Sequence, residues 1–484
     1  MLAHIIRKEV LDYLMSLRFA IACILCFVVV VCSLFVRHQD YVQTVSAFHE
    51  DVAISASAEK QLDHPWRIFW QGLRVYRAPN PLKIFVRGLE DENGSKVDLR
   101  LVTTPQFELA DVGNPMLPLF PSMDLVTFVG VIMSLLAIVF GYDAVCGEKE
   151  RGTLRLMLSY GVPRDTVLLG KWVGGCVMLV LPFLLAVLSA AALILVQHKV
   201  SLTTAQWGRF AVVCGLSVLY MVTVFSVALW VSCLTRRAST SIMVLVMFWM
   251  IFVLAIPNLS PYLAQTWYPG RNQEEVQTAL NARVEAQWKA DVEEPRAKYD
   301  KEQGFGDRWW ESIDWSRPET RKRVAERDLF ELQVEQRARQ TRLRLFAQVE
   351  DELGANLDRQ VLLSRRIARV SPFACFATAV TELTDTGTHE KRRLMEQVRA
   401  FQMKLTEYVY DESIVITRHT IDHDGQEPPP WSQKRQSPIP SFVYVPFSGG
   451  EYIRLVIVDT GLLAGMAVLF LLLSYVSFLR YDVR

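Results

Sequence analysis

The chain alternates between long apolar runs and polar stretches rich in charged residues. Six runs reach the length of about 17 residues or more that a helix needs to cross a bilayer. They cover residues 19–36, 125–142, 167–196, 210–234, 241–257 and 453–479. The pattern therefore predicts a mainly α-helical, polytopic membrane protein with six transmembrane helices, the third of them kinked at Pro182.

Two polar stretches are too long to be simple connections. In the first, residues 37–122, strand-like alternation at 82–87 and 97–102 flanks the turn-forming residues 92–95, which predicts a small hairpin. The second covers residues 258–452, and unstructured connections longer than about 15 residues are uncommon. We therefore expect a large helical domain between the fifth and sixth transmembrane helices.

Most of that domain has the composition of solvated helices. Residues 271–366 hold 19 Lys or Arg against 20 Asp or Glu, with few Gly or Pro. We predict two long helices, 272–303 and 318–366, packed as an antiparallel hairpin. The connection between them contains three tryptophans that either pack its tip or bind a partner, with packing favoured: Trp309, Trp310 and Trp315.

The remainder of the domain is predicted from shorter patterns. The apolar stretch from Ser371 to Val380 is too short to span a bilayer, so we expect a packed or interfacial helix. A further helix is expected at about 389–410. A linker at 425–440, rich in Pro, Gln and Ser, then returns the chain to the sixth transmembrane helix.

The distribution of Lys and Arg predicts the orientation, since these residues concentrate on the cytoplasmic side. The loop 143–166, with the start of the next helix, contains five: Lys149, Arg151, Arg155, Arg164 and Lys171. Residues 1–18 form an amphipathic pattern that suits a retained helix on the inner membrane surface. Both termini are therefore expected in the cytoplasm and both long polar stretches outside it, although three arginines fall on the outer flank: Arg37, Arg209 and Arg454.

Composition and missing motifs narrow the function. A net charge of +1 gives no support for nucleic-acid binding. Of the eight cysteines, only Cys375 falls in a stretch placed outside the membrane and cytoplasm, so no internal disulfide is expected there. The sequence contains no phosphate-binding loop. Such a loop needs a glycine five residues before Gly170 and a Ser or Thr after Lys171, and here that glycine is missing and Trp172 follows. We expect no ATP hydrolysis, no catalytic residues and no metal site in this chain.

One histidine pair has the spacing of two metal ligands on a helix. His419 and His423, beside Asp422 and Asp424, would share a face of a helix, as metal ligands need. The run is polar and β-branched and ends at Gly425, so a helix was doubtful there. An exposed polar loop is the favoured interpretation.

Small and charged residues inside the apolar runs are further candidates. Gly170 with Gly174, and Gly461 with Gly465, have the four-residue spacing that lets helices approach closely. Asp459 lies about six residues into the sixth run, and a carboxylate within a membrane is a functional candidate by default. The alternative is that Asp459 is hydrated near the surface or paired with Arg454.

The loop after the second run carries the most specific pattern. It reads Tyr142-Asp143, then Glu148-Lys149-Glu150-Arg151-Gly152-Thr153-Leu154, then Pro163-Arg164, then Leu169-Gly170-Lys171. Taken alone, it could be a charged loop that merely anchors two helices. The ordered match over this stretch resembles permease subunits of type-2, exporter-type ABC transporters. Pro79-Asn80-Pro81-Leu82, Gly88-Leu89 and Thr384-Asp385-Thr386-Gly387 resemble a subgroup of these permeases with an enlarged extracytoplasmic domain.

The resemblance implies a function. The chain would be the permease subunit of an ABC exporter in a bacterial inner membrane, paired with a second permease and with ATPase subunits that bind ATP and Mg. The loop would carry the ATPase contact through Asp143, Glu148, Lys149, Glu150, Arg151, Gly152, Thr153 and Arg164. These side chains are expected to touch no membrane helix. The alternative is a membrane energy transducer without cargo, which passes ATPase motion through the outer domain to an extracytoplasmic partner.

Overall fold

The computed structural model describes residues 2–480 except 90–93, 95, 102, 104, 109–122, 160–161, 198–199, 270–272, 307–308, 310–312 and 429. Within this part of the chain, six helices are long and apolar enough to cross a membrane. They are Leu17–Gln61, Leu125–Arg151, Arg164–Gln197, Thr204–Leu234, Ala238–Trp267 and Gly449–Leu479, and we number them as the first to sixth membrane helices. The helix proper of the second ends at Gly141, and its polar end, from 143 to 151, is described below as part of the loop. The prediction of a mainly α-helical polytopic membrane protein is confirmed.

The fourth membrane helix lies at the centre of the bundle, where it packs against the second and the sixth. Its Tyr220 and Phe225 are fully buried, whereas the fifth helix is bare on one side, with Met243 76% exposed. We call the end of the bundle that carries residues 143–163 the loop end, and the opposite end the domain end. The amphipathic helix Leu2–Leu14 packs at the loop end against the third membrane helix.

The first membrane helix is much longer than its apolar run. It has 45 residues, about 68 Å at 1.5 Å per residue, so it continues well past a hydrocarbon layer of about 30 Å. Its extension supports the first polar stretch, since Arg37 Nε donates to the backbone oxygen of Ile84 over 2.9 Å. The short helix Pro65–Gln71 follows this extension.

The first polar stretch contains a small antiparallel sheet in the order β1-β2-β3. Its strands are β1 (Leu73–Tyr76), β2 (Lys96–Leu99) and β3 (Gln106–Glu108), with Leu73 opposite Leu99 and Lys96 opposite Glu108.

The hairpin predicted between 82–87 and 97–102 is wrong in its first strand. Pro81–Ile84 is a 3₁₀ helix, because the Asn80 side chain caps it by accepting from Leu82 N over 3.0 Å and Pro81 suits a first helical turn. The strand that pairs with β2 lies earlier in the chain. Most of the predicted turn at 92–95 falls outside the described residues.

The predicted helical hairpin of the large domain is confirmed. Gln273–Trp288, Lys289–Glu293 and Glu294–Glu302 form one rod that pairs with the long helix Pro318–Ala368. Two ion pairs set the antiparallel register: Arg327 with Asp300 at 2.7 Å, and Arg296 with Glu331 at 2.7 Å. Trp309 packs on this hairpin beneath Arg327, whose Cζ lies 4.5 Å from the ring centre, while Trp310 lies outside the described residues.

The long helix runs beside the fifth membrane helix and continues into the bundle. Gln360 Nε2 donates to Tyr268 O over 2.5 Å at the end of the fifth helix, and Ser364 Oγ lies 3.1 Å from Ser260 Oγ. Farther on, the Ser371 hydroxyl donates to Phe252 O. Phe252 lies about 21 Å along the fifth helix from Ala238 at 1.5 Å per residue, so the chain has entered the membrane layer.

The chain turns there and comes back as the helix Pro372–Leu383, which is packed as predicted. Phe376 stacks on Tyr220 of the fourth membrane helix with ring centres 4.9 Å apart. Phe373 fills the space beside Gly130, where a Cβ would collide with its ring. Residues 360–383 thus form a re-entrant hairpin, of which the sequence predicts only the second, short helix as a packed or interfacial element.

Asp459 of the sixth membrane helix balances the positive charge of two arginines in this hairpin. Its carboxylate is fully buried and lies 2.6 Å from Arg365 Nη2 and 2.6 Å from Arg369 Nε. Arg454 was considered as its partner, and that assignment is wrong. The two arginines come from the long helix, almost a hundred residues earlier, and only the re-entrant path brings them to Asp459.

After the hairpin, the helix Thr388–Asp422 packs along the long helix and extends beyond the predicted 389–410. His419 lies in this helix and stacks on His423 at 4.2 Å, so the doubt about helical structure at this pair was wrong. The chain then returns through residues 433–448 to the sixth membrane helix.

Burial raises the pKa of the Glu390 carboxyl in the same helix, although Arg77 Nη1 at 2.8 Å and the Tyr444 hydroxyl both act to lower it.

The ion cluster around Asp459 predicts a large loss of stability on neutralisation. Asp459→Asn removes the buried counter-charge of two partly exposed arginines, whose side chains are 17% and 27% exposed. Breaking a fully buried pair costs about 3–5 kcal/mol, which is the upper bound for this change. Thermal unfolding of the purified protein in detergent should show a clearly lower Tm. The matched control is Asp358→Asn, whose pair with Arg392 is exposed and contributes at most about 1 kcal/mol. Equal Tm values for both variants would contradict this role of Asp459.

Candidate functional site

The loop at the loop end consists of two short helices separated by a glycine. Cys146–Arg151 ends at Gly152, whose φ of +72° is the left-handed conformation that glycine adopts without strain. Thr153–Ser159 forms the second helix. Apart from its chain neighbours, no atom of the described residues lies within 4 Å of the position that a Cβ would occupy at Gly152, so the backbone conformation favours glycine there. The sequence had suggested a single small helix.

Glu148 points inward to the third membrane helix. Lys171 Nζ lies 2.8 Å from Glu148 Oε1 and 2.9 Å from Glu9 Oε1, with the lysine side chain only 3% exposed. One buried ammonium group therefore joins the amphipathic helix, the loop and the third membrane helix. Glu9 and Lys171 were not among the predicted site residues, although both had been noted, one in the N-terminal pattern and the other in the charge count.

The next two residues hold the connection between the fourth and fifth membrane helices. Lys149 Nζ donates to the backbone oxygens of Ser232, Cys233 and Thr235, which are the unpaired carbonyls at the end of the fourth helix. Glu150 Oε2 accepts from Ala238 N over 3.2 Å, where the fifth helix begins. Each side chain thus carries the charge that a helix terminus favours at that position.

The remaining anchors reach the first and sixth membrane helices. Asp143 Oδ2 accepts from Arg18 Nη1 over 2.9 Å, and Arg164 Nη1 donates to Leu479 O over 2.7 Å. Ser232 Oγ accepts from the backbone N–H groups of Val145 and Cys146, both over 3.0 Å. No sequence signal distinguished Ser232 from other serines in apolar runs.

The Tyr13 ring connects the amphipathic helix to the bundle just before this loop. Its hydroxyl donates to Phe140 O over 2.9 Å. Burial raises the pKa of this phenol, so the hydroxyl stays protonated and remains a donor at physiological pH.

These contacts correct the expectation that the loop residues touch no membrane helix. Five of the eight predicted residues bind elements of the membrane bundle: Asp143, Glu148, Lys149, Glu150 and Arg164. The sequence could not show this, because every partner lies outside the loop itself.

The outward face of the loop consists of different residues. Arg151, Gly152 and Thr153 are exposed, and so are Arg155 and Leu156, the latter 60% exposed. Arg151 Nε and Thr153 Oγ1 donate only to loop carbonyls, those of Gly147 and Glu148. Leu154 is fully buried and fastens the second loop helix to the bundle. The loop therefore has an anchoring side, formed by Asp143, Glu148, Lys149 and the exposed but hydrogen-bonded Glu150, and an outer side on which basic and apolar side chains predominate.

The two glycine pairs behave differently. A Cβ on Gly170 would lie 2.6 Å from Ile5 Cγ2, and one on Gly174 would lie 2.9 Å from Glu9 Cβ. This pair lets the amphipathic helix lie directly on the third membrane helix, which brings Glu9 within reach of Lys171. Gly461 and Gly465 have no neighbour within 4 Å of the corresponding positions, so they mediate no close helix approach among the described residues.

At the domain end, the two segments that resembled the enlarged subgroup meet. Asn80 Nδ2 donates to Thr384 O over 2.7 Å, and Leu89 N donates to Thr386 O over 2.8 Å. Gly88, at φ +51°, packs so closely on Thr386 that a Cβ there would collide with it.

Asp385 completes this junction. Its carboxylate accepts from Arg209 Nη1 over 2.6 Å, at the start of the fourth membrane helix, and from the hydroxyl of Tyr452, at the start of the sixth. The junction therefore ties the large domain to two membrane helices.

Among the described residues, no group of three or more His, Cys, Asp or Glu side chains is arranged to hold a metal ion.

The family model described as ABC-2 family transporter protein matches residues 3–483. The chain is 42% identical over 84 residues to the probable ABC transporter permease protein NosY of Stutzerimonas stutzeri, a match that covers 17% of this chain and 30% of that protein. It is 39% identical over 82 residues to the protein of the same name from Pseudomonas aeruginosa, covering 16% of this chain and 30% of the relative. Both matches span less than a third of the relative's length. Because the family model covers nearly the whole chain, this multi-pass membrane protein belongs to the ABC-2 family of transporter proteins.

Proposed function

We propose that this chain is a permease subunit that couples ATP hydrolysis by a separate ATPase subunit to export of a substrate. The loop end carries the argument. The loop binds the first, third, fourth and fifth membrane helices through Asp143, Glu148, Lys149 and Glu150, and it turns a largely basic and apolar face outward. Through Lys171 and Arg164 of the third helix, these contacts continue to the amphipathic helix and to the end of the sixth membrane helix. A push on the outward face would reach the bundle through these polar contacts. ATP and Mg would bind to the partner, since this chain contains no phosphate-binding loop.

The proposal places the loop end in the cytoplasm of a bacterium and the large domain outside the inner membrane. Lys and Arg at the loop end support this orientation. A second permease would complete the membrane part of the transporter.

Cysteine labelling tests the orientation. In a variant lacking the native cysteines, a membrane-impermeant maleimide added to intact cells should label Lys298→Cys in the large domain, where the lysine side chain is 79% exposed. It should label Arg155→Cys in the loop only after the cells are opened. Labelling of Arg155→Cys alone in intact cells would reverse the proposed topology.

The outer face of the loop is the proposed ATPase contact. Leu156 would enter an apolar depression, while Arg151 and Arg155 would face acidic residues of the ATPase. The first assignment to Glu148, Lys149 and Glu150 is revised accordingly, and these residues would instead pass the motion into the membrane helices.

Co-purification measures this contact. Truncation of one partner in a buried charge pair at an interface costs about 2–5 kcal/mol. Arg155→Ala with Leu156→Ala should therefore lower the amount of bound ATPase at least about tenfold. The Tm of the permease alone should not change, since both side chains are exposed.

Glu148→Gln is the matched control for the co-purification measurement. It lies in the same loop but points to Lys171, so it should lower the Tm of the permease while the bound ATPase is retained. If the double variant keeps the ATPase at the level of the wild type, the outer face is not the docking surface.

The junction at Asp385 supports a second candidate function, that of an energy transducer without cargo. Arg209 and Tyr452 fasten the fourth and sixth membrane helices to the large domain through one carboxylate. Movement of those helices would then move the large domain, which could act on an extracytoplasmic partner.

Electron–electron distance measurements distinguish a moving domain from a passive one. With one spin label per chain at Gln336 on the long helix, the distance between the two copies in the assembled complex should change when ATP binds. Asp385→Asn should abolish this change, whereas Asp358→Asn, in an exposed pair, should not. An unchanged distance in the wild type would exclude the transducer and leave the exporter.

A further inference from the structure

The re-entrant hairpin leaves a cleft of about 460 Å³ on the side of the fifth membrane helix. Three walls enclose it: the fifth helix at Pro257 and Ser260, the end of the long helix at Ala368, and the re-entrant helix at Phe373 and Ala377. Its volume is within the range of about 300–1,000 Å³ that is usual for small-molecule sites. The loop end lies at the far side of the bundle, so this cleft is separate from the coupling loop.

The lining changes from apolar to polar along the cleft. The apolar side chains of Phe373 and Ala377 lie at the deep part of the hairpin, near the level where Ser371 meets Phe252 O. Gln360 and Thr388 line the opposite part, where Gln360 reaches Tyr268 at the end of the fifth helix. A ligand that matches this order has an apolar chain directed into the bilayer and a polar group at its boundary.

The charged residues of the wall are already neutralised. Arg365 and Glu382 both line the cleft, and their Nη1 and Oε1 atoms lie 3.9 Å apart. Arg365 is also bound to Asp459 over 2.6 Å, and Glu382 to His389 over 2.8 Å. Gln360 Nε2 and the Thr388 hydroxyl already donate to Tyr268 O and to Glu382 Oε1. Among the described lining residues, the cleft therefore offers the acceptor atoms Gln360 Oε1 and Thr388 Oγ1 and no uncommitted charge, which favours the ammonium of a zwitterionic group over an anion.

The surroundings of the cleft are apolar and open. Val361, at its mouth, is 46% exposed, and Leu254 of the fifth helix is 42% exposed. In a bilayer, such side chains contact acyl chains, so lipid of the adjacent leaflet has direct lateral access. The small side chains of Ala374 and Ala377 line the recess and leave space in which an acyl chain can lie.

We propose that this cleft binds one zwitterionic phospholipid from the leaflet at the domain end. One acyl chain would lie against Phe373 and Ala377, and the headgroup would bond to Gln360 and Thr388. The bound lipid would fill the space between the fifth membrane helix and the re-entrant hairpin. This inference depends on the fifth membrane helix, the re-entrant hairpin and the start of the helix Thr388–Asp422, and it is independent of the ATPase contact.

Native mass spectrometry of the purified full-length protein tests the site. After removal of bulk lipid, the wild type should retain a single phospholipid per chain, and phosphatidylethanolamine should restore it better than phosphatidylglycerol. Ala377→Trp fills the recess and should lower retention at least about tenfold. The control Met243→Trp adds the same ring to the exposed face of the fifth helix outside the cleft and should retain the lipid.

Thermal unfolding of the wild type is an independent test of lipid binding, and it does not depend on whether the Ala377→Trp variant folds. Phosphatidylethanolamine added to the delipidated wild type should raise its Tm, because a ligand that binds only the folded state stabilises it. Equal lipid retention by Ala377→Trp and the wild type would overturn the proposal. So would a delipidated wild type that neither retains a phospholipid nor gains stability, or one that selects phosphatidylglycerol.

Discussion

A charge inside a membrane protein must be paired, and this constraint organises both ends of the bundle. At the loop end, Lys171 is almost completely buried and is shared by Glu9 and Glu148. At the domain end, Asp459 is fully buried and is shared by Arg365 and Arg369. Moving an unpaired ion from water into the bundle carries a large desolvation penalty, and a partner of opposite charge offsets much of it. These partners must therefore come together for the helices to pack. In both clusters, one central charge is held by two residues of opposite sign.

The two clusters also explain the shape of the chain around them. Glu9 reaches Lys171 because Gly170 and Gly174 let the amphipathic helix lie against the third membrane helix. Arg365 and Arg369 reach Asp459 because the long helix of the large domain continues into the bundle before it turns back. The domain is therefore not an appendage joined by loops. It contributes a packed element to the membrane region, and Asp385 adds a second tie through Arg209 and Tyr452.

In this architecture, some residues of the coupling loop anchor it to the membrane helices and others are free to contact a partner, a distinction that the sequence does not reveal. Acidic and basic side chains alternate along Glu148 to Arg151, and all four looked equally suited to a partner protein. In the structure, Glu148 and Lys149 are held by groups from the third and fourth membrane helices, while Arg151 is exposed. Glu150 is exposed as well, but its carboxylate accepts from the first turn of the fifth helix. Helical spacing places successive residues on different faces, so neighbours in one motif acquire different roles.

The sequence by itself determined the six membrane helices, because 17 or more apolar residues in a row are stable as a helix in hydrocarbon whatever surrounds them. It also determined the helical hairpin of the large domain, and its ordered loop motif was enough to indicate the family. Only the tertiary structure decided the re-entrant hairpin, since the chain from Gln360 to Ala368 carries two arginines and continues the amphipathic pattern of a solvated helix. Its arginines become tolerable in the membrane only when Asp459 is beside them. The strand that pairs with β2 and the anchors of the coupling loop were decided in the same way. In each case, the partner lies far along the chain, and pairing of polar groups across such distances depends on packing that local sequence patterns do not encode.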